Sequence, residues 1–256
     1  MTDDDRIAAE LAEQAGRRLL ELRADGGAPD DLRKAGDRLS HDFLTGELAA
    51  LRPGDAVLSE EGRDDPARLS ASRVWIVDPL DGTREFGEPG RSDWAVHVAL
   101  WERGSLTAGA VALPAQGQVL STCAPPVRPA AAQGGPGARR DLRVVVSRTR
   151  PPAFLDRLSD FADVTLVPLG SAGAKAAAVL RGEADAYIHA GGQYEWDSAA
   201  PVAVALAAGL HASRIDGSDL AYNRPDPVLP DILICPAALA GPLIDAIGAA
   251  GATRPA

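Results

Sequence analysis

The sequence predicts an α+β chain in which helices lie in layers on β-sheet. Three observations predict it. The N-terminal stretch carries apolar residues at helical spacing, a middle stretch breaks into strand-like runs parted by turn residues, and the C-terminal half alternates strand-like with helix-like segments.

The elements follow in order. Ile7, Leu11, Ala15, Leu19 and Leu22 predict a first helix from Asp3 to Arg23, ended by Gly26-Gly27-Ala28-Pro29. Leu39, Phe43, Leu44, Leu48 and Leu51 mark a second helix, closed by Pro53-Gly54. Ala56 to Ser59 reads as a short strand leading into Glu60-Glu61-Gly62, and Val74 to Val77 as another. Strand-like runs at 94–101, 106–113 and 118–123 read as an antiparallel meander. The stretch after it, to residue 140, is rich in Pro, Gly and Ala and reads as a loop between two halves. Beyond it come strand Arg143–Val146, helix Pro152–Phe161, strand Val164–Val167, helix Ala172–Arg181, strand Ala186–His189, helix Ser198–Ala208, strand Leu210–Ile215, strand Ile232–Cys235 and a helix at 237–248. The expected organisation is an N-terminal α+β half (1–124), a connecting loop (125–140) and a C-terminal α/β half (141–256), packed as one structural unit.

Composition narrows the function. At 256 residues, 46% of them hydrophobic, the chain can bury a sizeable core, which excludes global disorder. A net charge of −10 excludes a broad phosphate-backbone surface, so no nucleic-acid polymer is expected as partner. Cys123 and Cys235 form neither a close pair nor a ligand cluster, which fits a reducing, cytoplasmic setting. The acidic start, Met1-Thr2-Asp3-Asp4-Asp5, is unlike a signal peptide, and the longest apolar run, Ala199 to Leu210, spans 12 residues with a proline, too short to cross a membrane.

The run Trp75-Ile76-Val77-Asp78-Pro79-Leu80-Asp81-Gly82-Thr83 is the most informative segment. It reads as an apolar strand ending in a tight turn that presents Asp78, Asp81, a backbone carbonyl and the Thr83 hydroxyl. Hard cations such as Mg²⁺ take that all-oxygen donor set, and Gly82 lets a ligand approach the backbone. Taken alone, Asp-Pro-x-Asp-Gly is more often a surface turn. Glu60 and Glu61 end a strand at a glycine; adjacent acids there are mostly solvated. Asp197 opens an apolar helix, where an acid commonly serves as a cap. Together these acids sit at the ends of apolar elements, where α/β sites form. Metal ions held among them would polarise a phosphate and activate water. His41, His97, His189 and His211 do not cluster, His97 reads as a structural strand residue, and no zinc site is assigned.

Across Asp3 to Pro236 the chain resembles the inositol monophosphatase superfamily of Mg²⁺-dependent, lithium-sensitive phosphatases. The matching motifs are Ser59-Glu60-Glu61-Gly62, Trp75 to Thr83, Gly170-Ser171, Gly182-Glu183-Ala184-Asp185-Ala186-Tyr187 and Glu195-Trp196-Asp197-Ser198-Ala199-Ala200. The resemblance implies an α/β/α/β/α layered sandwich, the inositol monophosphatase/fructose-1,6-bisphosphatase-like fold, and two or three Mg²⁺ ions. It implies that Glu60, Asp78 and the Leu80 carbonyl hold a first metal, that Asp78, Asp81 and Asp197 hold a second, and that Glu60 leans on a weaker third. Thr83, paired with Glu60, would orient the attacking water. The Gly82 and Thr83 N–H groups would bind the substrate phosphate, and hydrolysis would be direct and in line. Many relatives carry Pro-Val-Thr-x-Ala-Asp near the N-terminus; here the stretch is Lys34-Ala35-Gly36-Asp37-Arg38-Leu39-Ser40-His41-Asp42. Asp42 best matches the family's water-activating acid, with Asp37 as competitor. The superfamily also commonly forms a two-fold homodimer.

Arg84-Glu85-Phe86 after Asp81-Gly82-Thr83, the Ser147-Arg148-Thr149-Arg150 run, Gly170-Ser171 with Lys175, and Leu220-Ala221-Tyr222-Asn223 are similar to the 3′(2′),5′-bisphosphate nucleotidases. That implies a small nucleotide substrate, adenosine 3′,5′-bisphosphate or its sulfated form, and a link to sulfur metabolism. Inositol phosphate and fructose bisphosphate are the alternatives. A second phosphate needs cations away from the metals, and Arg148 and Lys175 are the candidates, with Arg84 a further expected substrate contact. Ser147, Ser171 and the helix N-terminus after Gly170 complete the expected contacts.

Overall fold

The structure, a computed structural model, describes residues 2–129, 141–158 and 163–252. Helix α1 (Asp3–Asp25) starts at a reciprocal cap: the Thr2 hydroxyl accepts from the Asp5 N–H and the Asp5 carboxylate accepts from the Thr2 N–H. Helix α2 (Pro29–Leu51) begins well before the Leu39 at which apolar periodicity becomes visible. Its start is signalled instead by Pro29 at the first helical position and by Asp30 and Asp31 in the first turn.

The first half builds a five-stranded sheet in chain order: β1 (Ala56–Ser59), β2 (Arg73–Asp81), β3 (Ala95–Glu102), β4 (Ser105–Leu113) and β5 (Gln118–Ser121). β1 and β2 run parallel, and the rest is the expected meander. The second half builds another five-stranded sheet from β6 (Leu142–Ser147), β7 (Val164–Leu169), β8 (Ala186–Tyr194), β9 (Leu210–Ser213) and β10 (Val228–Pro236), in the order β7-β6-β8-β10-β9. Helices α3 (Thr83–Gly87), α4 (Leu155–Leu158), α5 (Ala172–Leu180), α6 (Glu195–Ala207) and α7 (Ala237–Ala249) complete the chain. Of the helix expected over Pro152–Phe161, residues 155–158 form α4, residues 152–154 precede it without helical structure, and residues 159–161 lie outside the described residues. Of the loop expected to 140, residues 124–129 have no regular structure and 130–140 lie outside the described residues.

Strand alternation sorts the side chains into layers. Trp75 and Val77 of β2 pack with Leu11, Leu19, Leu44 and Leu48 of α1 and α2. Val74 and Ile76 point the other way, into a core shared with α5, α6 and the inner face of the second sheet, including Val145, Tyr187 and Ile232. The outer face of that sheet, with Val144, Ile188 and Leu233, packs under Leu155, Leu243 and Ile247 of α4 and α7. The result is five layers, α/β/α/β/α. Small residues let the central layer sit close: a Cβ on Gly109 would stand 2.6 Å from Ala203 Cβ of α6.

β2 does not end in a turn after Val77. It continues through Asp78-Pro79-Leu80-Asp81. Asp78 pairs with His97 and Asp81 with Ala95, so three steps along β2 oppose two along β3, which is a β-bulge. In a regular strand, residues three apart face opposite sides; the extra residue returns Asp81 to the side of Asp78. Pro79 sits inside the bulge, where no ladder N–H is needed.

Candidate active site

The bulge and the start of α6 bring three acids together. One carboxylate oxygen from each of Asp78, Asp81 and Asp197 lies within 4.8 Å of the others. Asp78 and Asp81 are buried and Asp197 is half-buried. Glu60, at the end of β1, extends the ladder through its N–H to the Val77 carbonyl, and its carboxyl meets Asp78. Burial, then the charge of Asp197, raises Glu60 to about 7. Burial, then Asp81, raises Asp197 to about 6. Asp78 is pushed well above the usual carboxylate range by burial, then by Glu60, Asp81 and Asp197. Four acids facing one another with hard oxygen donors and a buried member fit a divalent cation such as Mg²⁺.

Asp81 differs from its neighbours. Its Oδ1 accepts the Ala172 N–H (3.1 Å) and its Oδ2 the Gly173 N–H (2.7 Å) at the N-terminus of α5. Burial alone would raise its pKa, but the facing His97 reverses this, so Asp81 stays below the usual range. This corrects the expected anion site at α5. The anion there is Asp81 itself, and the Ser171 hydroxyl is occupied accepting the Ala174 N–H as helix cap.

Thr83 opens α3 directly after Gly82, whose φ of +84° and tight packing against Ser171 suit glycine (a Cβ would stand 2.9 Å from Ser171 Cβ). The Thr83 hydroxyl has two acceptors in reach, the Leu80 carbonyl at 3.0 Å and Asp37 Oδ1 at 3.3 Å. Its carboxylate partner is therefore Asp37 of α2, and the expected pairing with Glu60 is corrected. Asp42 is corrected as well: it is exposed and has no side-chain partner among the described residues. Five residues turn a helix by about 140°, so Asp37 and Asp42 cannot share a face. Burial, then Glu61, raises Asp37 to about 6.

Beside the acids opens a polar cavity of about 430 Å³, whose walls include Arg84, Arg148, Arg150, Lys175, His189 and Asp197. Arg148 is not free: it donates to Glu85 Oε1 (3.0 Å) and to Asp93 Oδ2 (2.6 Å), and Asp93 also accepts from Arg91 and the Gly170 N–H. Lys175 is buried, donates to the Gly170 carbonyl (2.6 Å) and lies 5.3 Å from the Tyr187 ring centroid. Burial lowers its pKa against the pull of Asp81 and Asp197. Arg84 is exposed, 3.8 Å from Glu88. Ser147 is buried and its hydroxyl accepts the Arg150 N–H. Arg150, exposed and with no side-chain partner among the described residues, is the free cation that sequence reasoning passed over, although it stands in the Ser147–Arg150 run. The Asp93 network carried no local signal. Buried His189 donates from Nε2 to the Gly191 carbonyl (2.6 Å), and burial pushes its pKa down to about 4.

Five layers with an acidic cluster opening on a cationic cavity define a phosphate-ester hydrolase. The chain belongs to the inositol monophosphatase family, which it matches over residues 4–247. It is 56% identical over 240 residues to a protein of Mycobacterium bovis named 3′-phosphoadenosine 5′-phosphate phosphatase, covering 91% of this chain and 89% of that one. It is 32% identical over 239 residues to the 3′(2′),5′-bisphosphate nucleotidase CysQ of Escherichia coli O157:H7, covering 84% and 92%. Among solved structures it matches inositol monophosphatase-II of Staphylococcus aureus with a TM-score of 0.78 at 22% identity, over 92% of each chain, a likeness of fold. No helix among the described residues is long and apolar enough to cross a membrane.

Proposed function

We propose that this protein hydrolyses the 3′-phosphate of adenosine 3′,5′-bisphosphate to give AMP and phosphate, and that of the 5′-phosphosulfate analogue in the same way. The observation that carries the reading is the acidic cluster of Asp78, Asp81 and Asp197 opening on a cavity with cationic walls. One phosphate belongs at the acids and the other at the cations. The names of the relatives at 56% and 32% identity support the same substrate class.

Glu60, Asp78, Asp81, Asp197 and the Leu80 carbonyl would hold two or three Mg²⁺ ions. Bound there, the metal supplies charge neutralisation at the phosphoryl oxygens and acidifies water. Thr83 orients the attacking water through its hydroxyl, and Asp37 Oδ1, 3.3 Å away, is placed to take a proton. Water adds to phosphorus as the bond to the 3′ oxygen breaks, and the departing oxygen gains a proton. The Gly82 and Thr83 N–H groups hold the reacting phosphate. Arg84, Arg150 and Lys175 hold the distant one, while Arg148, Ser147 and Ser171 shape its wall. Lithium inhibition, a homodimer, a cytoplasmic location and two halves acting as one unit belong to the same reading.

The test is phosphate release, with and without Mg²⁺, from adenosine 3′,5′-bisphosphate, its phosphosulfate analogue, inositol 1-phosphate and fructose 1,6-bisphosphate. The nucleotide should have the highest kcat/KM. A preference for inositol phosphate would overturn the assignment.

A further inference from the structure

We propose that His97 is a positioning residue that sets the separation of Asp81 and Asp197 and thereby the cluster's hold on a divalent cation. The proposal rests on the metal-site reading above. The two acids come from distant parts of the chain, β2 and α6. His97 stands between them on β3 with its side chain fully buried. Its Nδ1 lies 3.1 Å from the Trp196 carbonyl, the residue before Asp197. A carbonyl accepts, so Nδ1 carries the proton and the ring is anchored to the first turn of α6. Its Nε2 lies 3.2 Å from Asp81 Oδ2, close but poorly aligned for a hydrogen bond. The imidazole thus braces one acid against the helix turn that carries the other.

The surroundings are built around that ring. A Cβ on Gly173 would stand 2.3 Å from His97 Nε2, so only glycine leaves room at this point of α5. The same Gly173 donates its N–H to Asp81 Oδ2 at 2.7 Å. Asp81 therefore accepts from the α5 backbone on one side and lies 3.2 Å from the imidazole on the other. Groups that orient a ligating carboxylate typically contribute 10–100-fold in metal affinity, about what the loss of one such partner costs. A plain core histidine would contribute to stability and leave metal affinity untouched.

The experiment is calorimetric titration of the full-length protein with Mg²⁺ or Mn²⁺ alone, beside melting curves in EDTA. His97→Leu removes both contacts. His97→Asn keeps a donor near the Nδ1 position, and His97→Gln keeps a polar atom near Nε2. Ile247→Ala, in the core under α7, supplies a destabilised control remote from the acids. Metal affinity should fall about 10–100-fold in His97→Leu, fall less in Asn and Gln, and stay at the wild-type value in the control at a comparable loss of melting temperature. Should His97→Leu not fold, a weaker affinity in Asn or Gln than in the control carries the proposal. Wild-type affinity in every folded His97 variant overturns it, as does an equal loss in Ile247→Ala. A wild-type protein that binds no metal would instead sink the metal site itself, and one that binds metal but spares the bisphosphate would sink the substrate assignment.

Discussion

Replacing Arg148 separates two roles for the same side chain. As a free phosphate ligand, Arg148→Met would raise KM and leave the fold alone. The structure places its guanidinium 3.0 Å from Glu85 and 2.6 Å from Asp93, both of them buried acids. Asp93 keeps Arg91 and the Gly170 N–H after the change, so the loss falls on Glu85. Breaking a fully buried pair costs about 3–5 kcal/mol. The Arg148 side chain retains 30% of its exposure, so solvent screens part of that interaction. A loss of about 2 kcal/mol follows. In a chain of 256 residues, at about 2–4 °C per kcal/mol, the melting temperature should drop by about 4–8 °C. Glu85→Gln in the Arg148→Met background removes the stranded charge and should restore about half of the loss, about 1 kcal/mol. Differential scanning calorimetry of the four proteins reads this directly. A wild-type melting temperature for Arg148→Met with a tenfold higher KM would refute the reasoning and return Arg148 to the substrate.

Asp37→Asn should lower kcat by about 10²–10⁴ with KM nearly unchanged, whereas Asp42→Asn should leave both alone; steady-state phosphate release compares them. His189 is buried with its pKa pushed down to about 4. The unfolded chain therefore takes up that proton first as pH falls from about 6.5, and the stability present above that pH is progressively lost toward pH 4. The loss amounts to about 2–3 kcal/mol. Urea unfolding at pH 7 and pH 5 should show a smaller pH dependence in His189→Gln than in the wild type.

Much of this architecture is legible in the sequence because it rests on local signals. The apolar period of Ile7–Leu22 and the paired faces of Val74–Val77 announce helix and strand without help from the rest of the chain. In the sequence Asp78, Asp81 and Asp197 read as acids beside apolar runs, so their candidacy is readable even though their convergence is not. What stays hidden depends on partners far along the chain. The β2 bulge exists only against β3, and without it an odd spacing would part Asp78 from Asp81. The choice of Asp37 over Asp42 is a matter of helical phase, which becomes decidable once α2 is seen to start at Pro29. Arg148 looks like a free cation until Glu85 and Asp93, 63 and 55 residues away, are folded against it. His97 looks like a buried strand residue until Asp81 and the Trp196 carbonyl close on its two nitrogens.

The central claim is that acids from β2 and α6 form one metal-dependent centre for hydrolysing the 3′-phosphate. Its most direct test is the rate of phosphate release from adenosine 3′,5′-bisphosphate at saturating Mg²⁺ by Asp81→Ala and Asp197→Ala, each shown to be folded by circular dichroism. Both variants should lose turnover by orders of magnitude. Wild-type kcat in both would contradict the account.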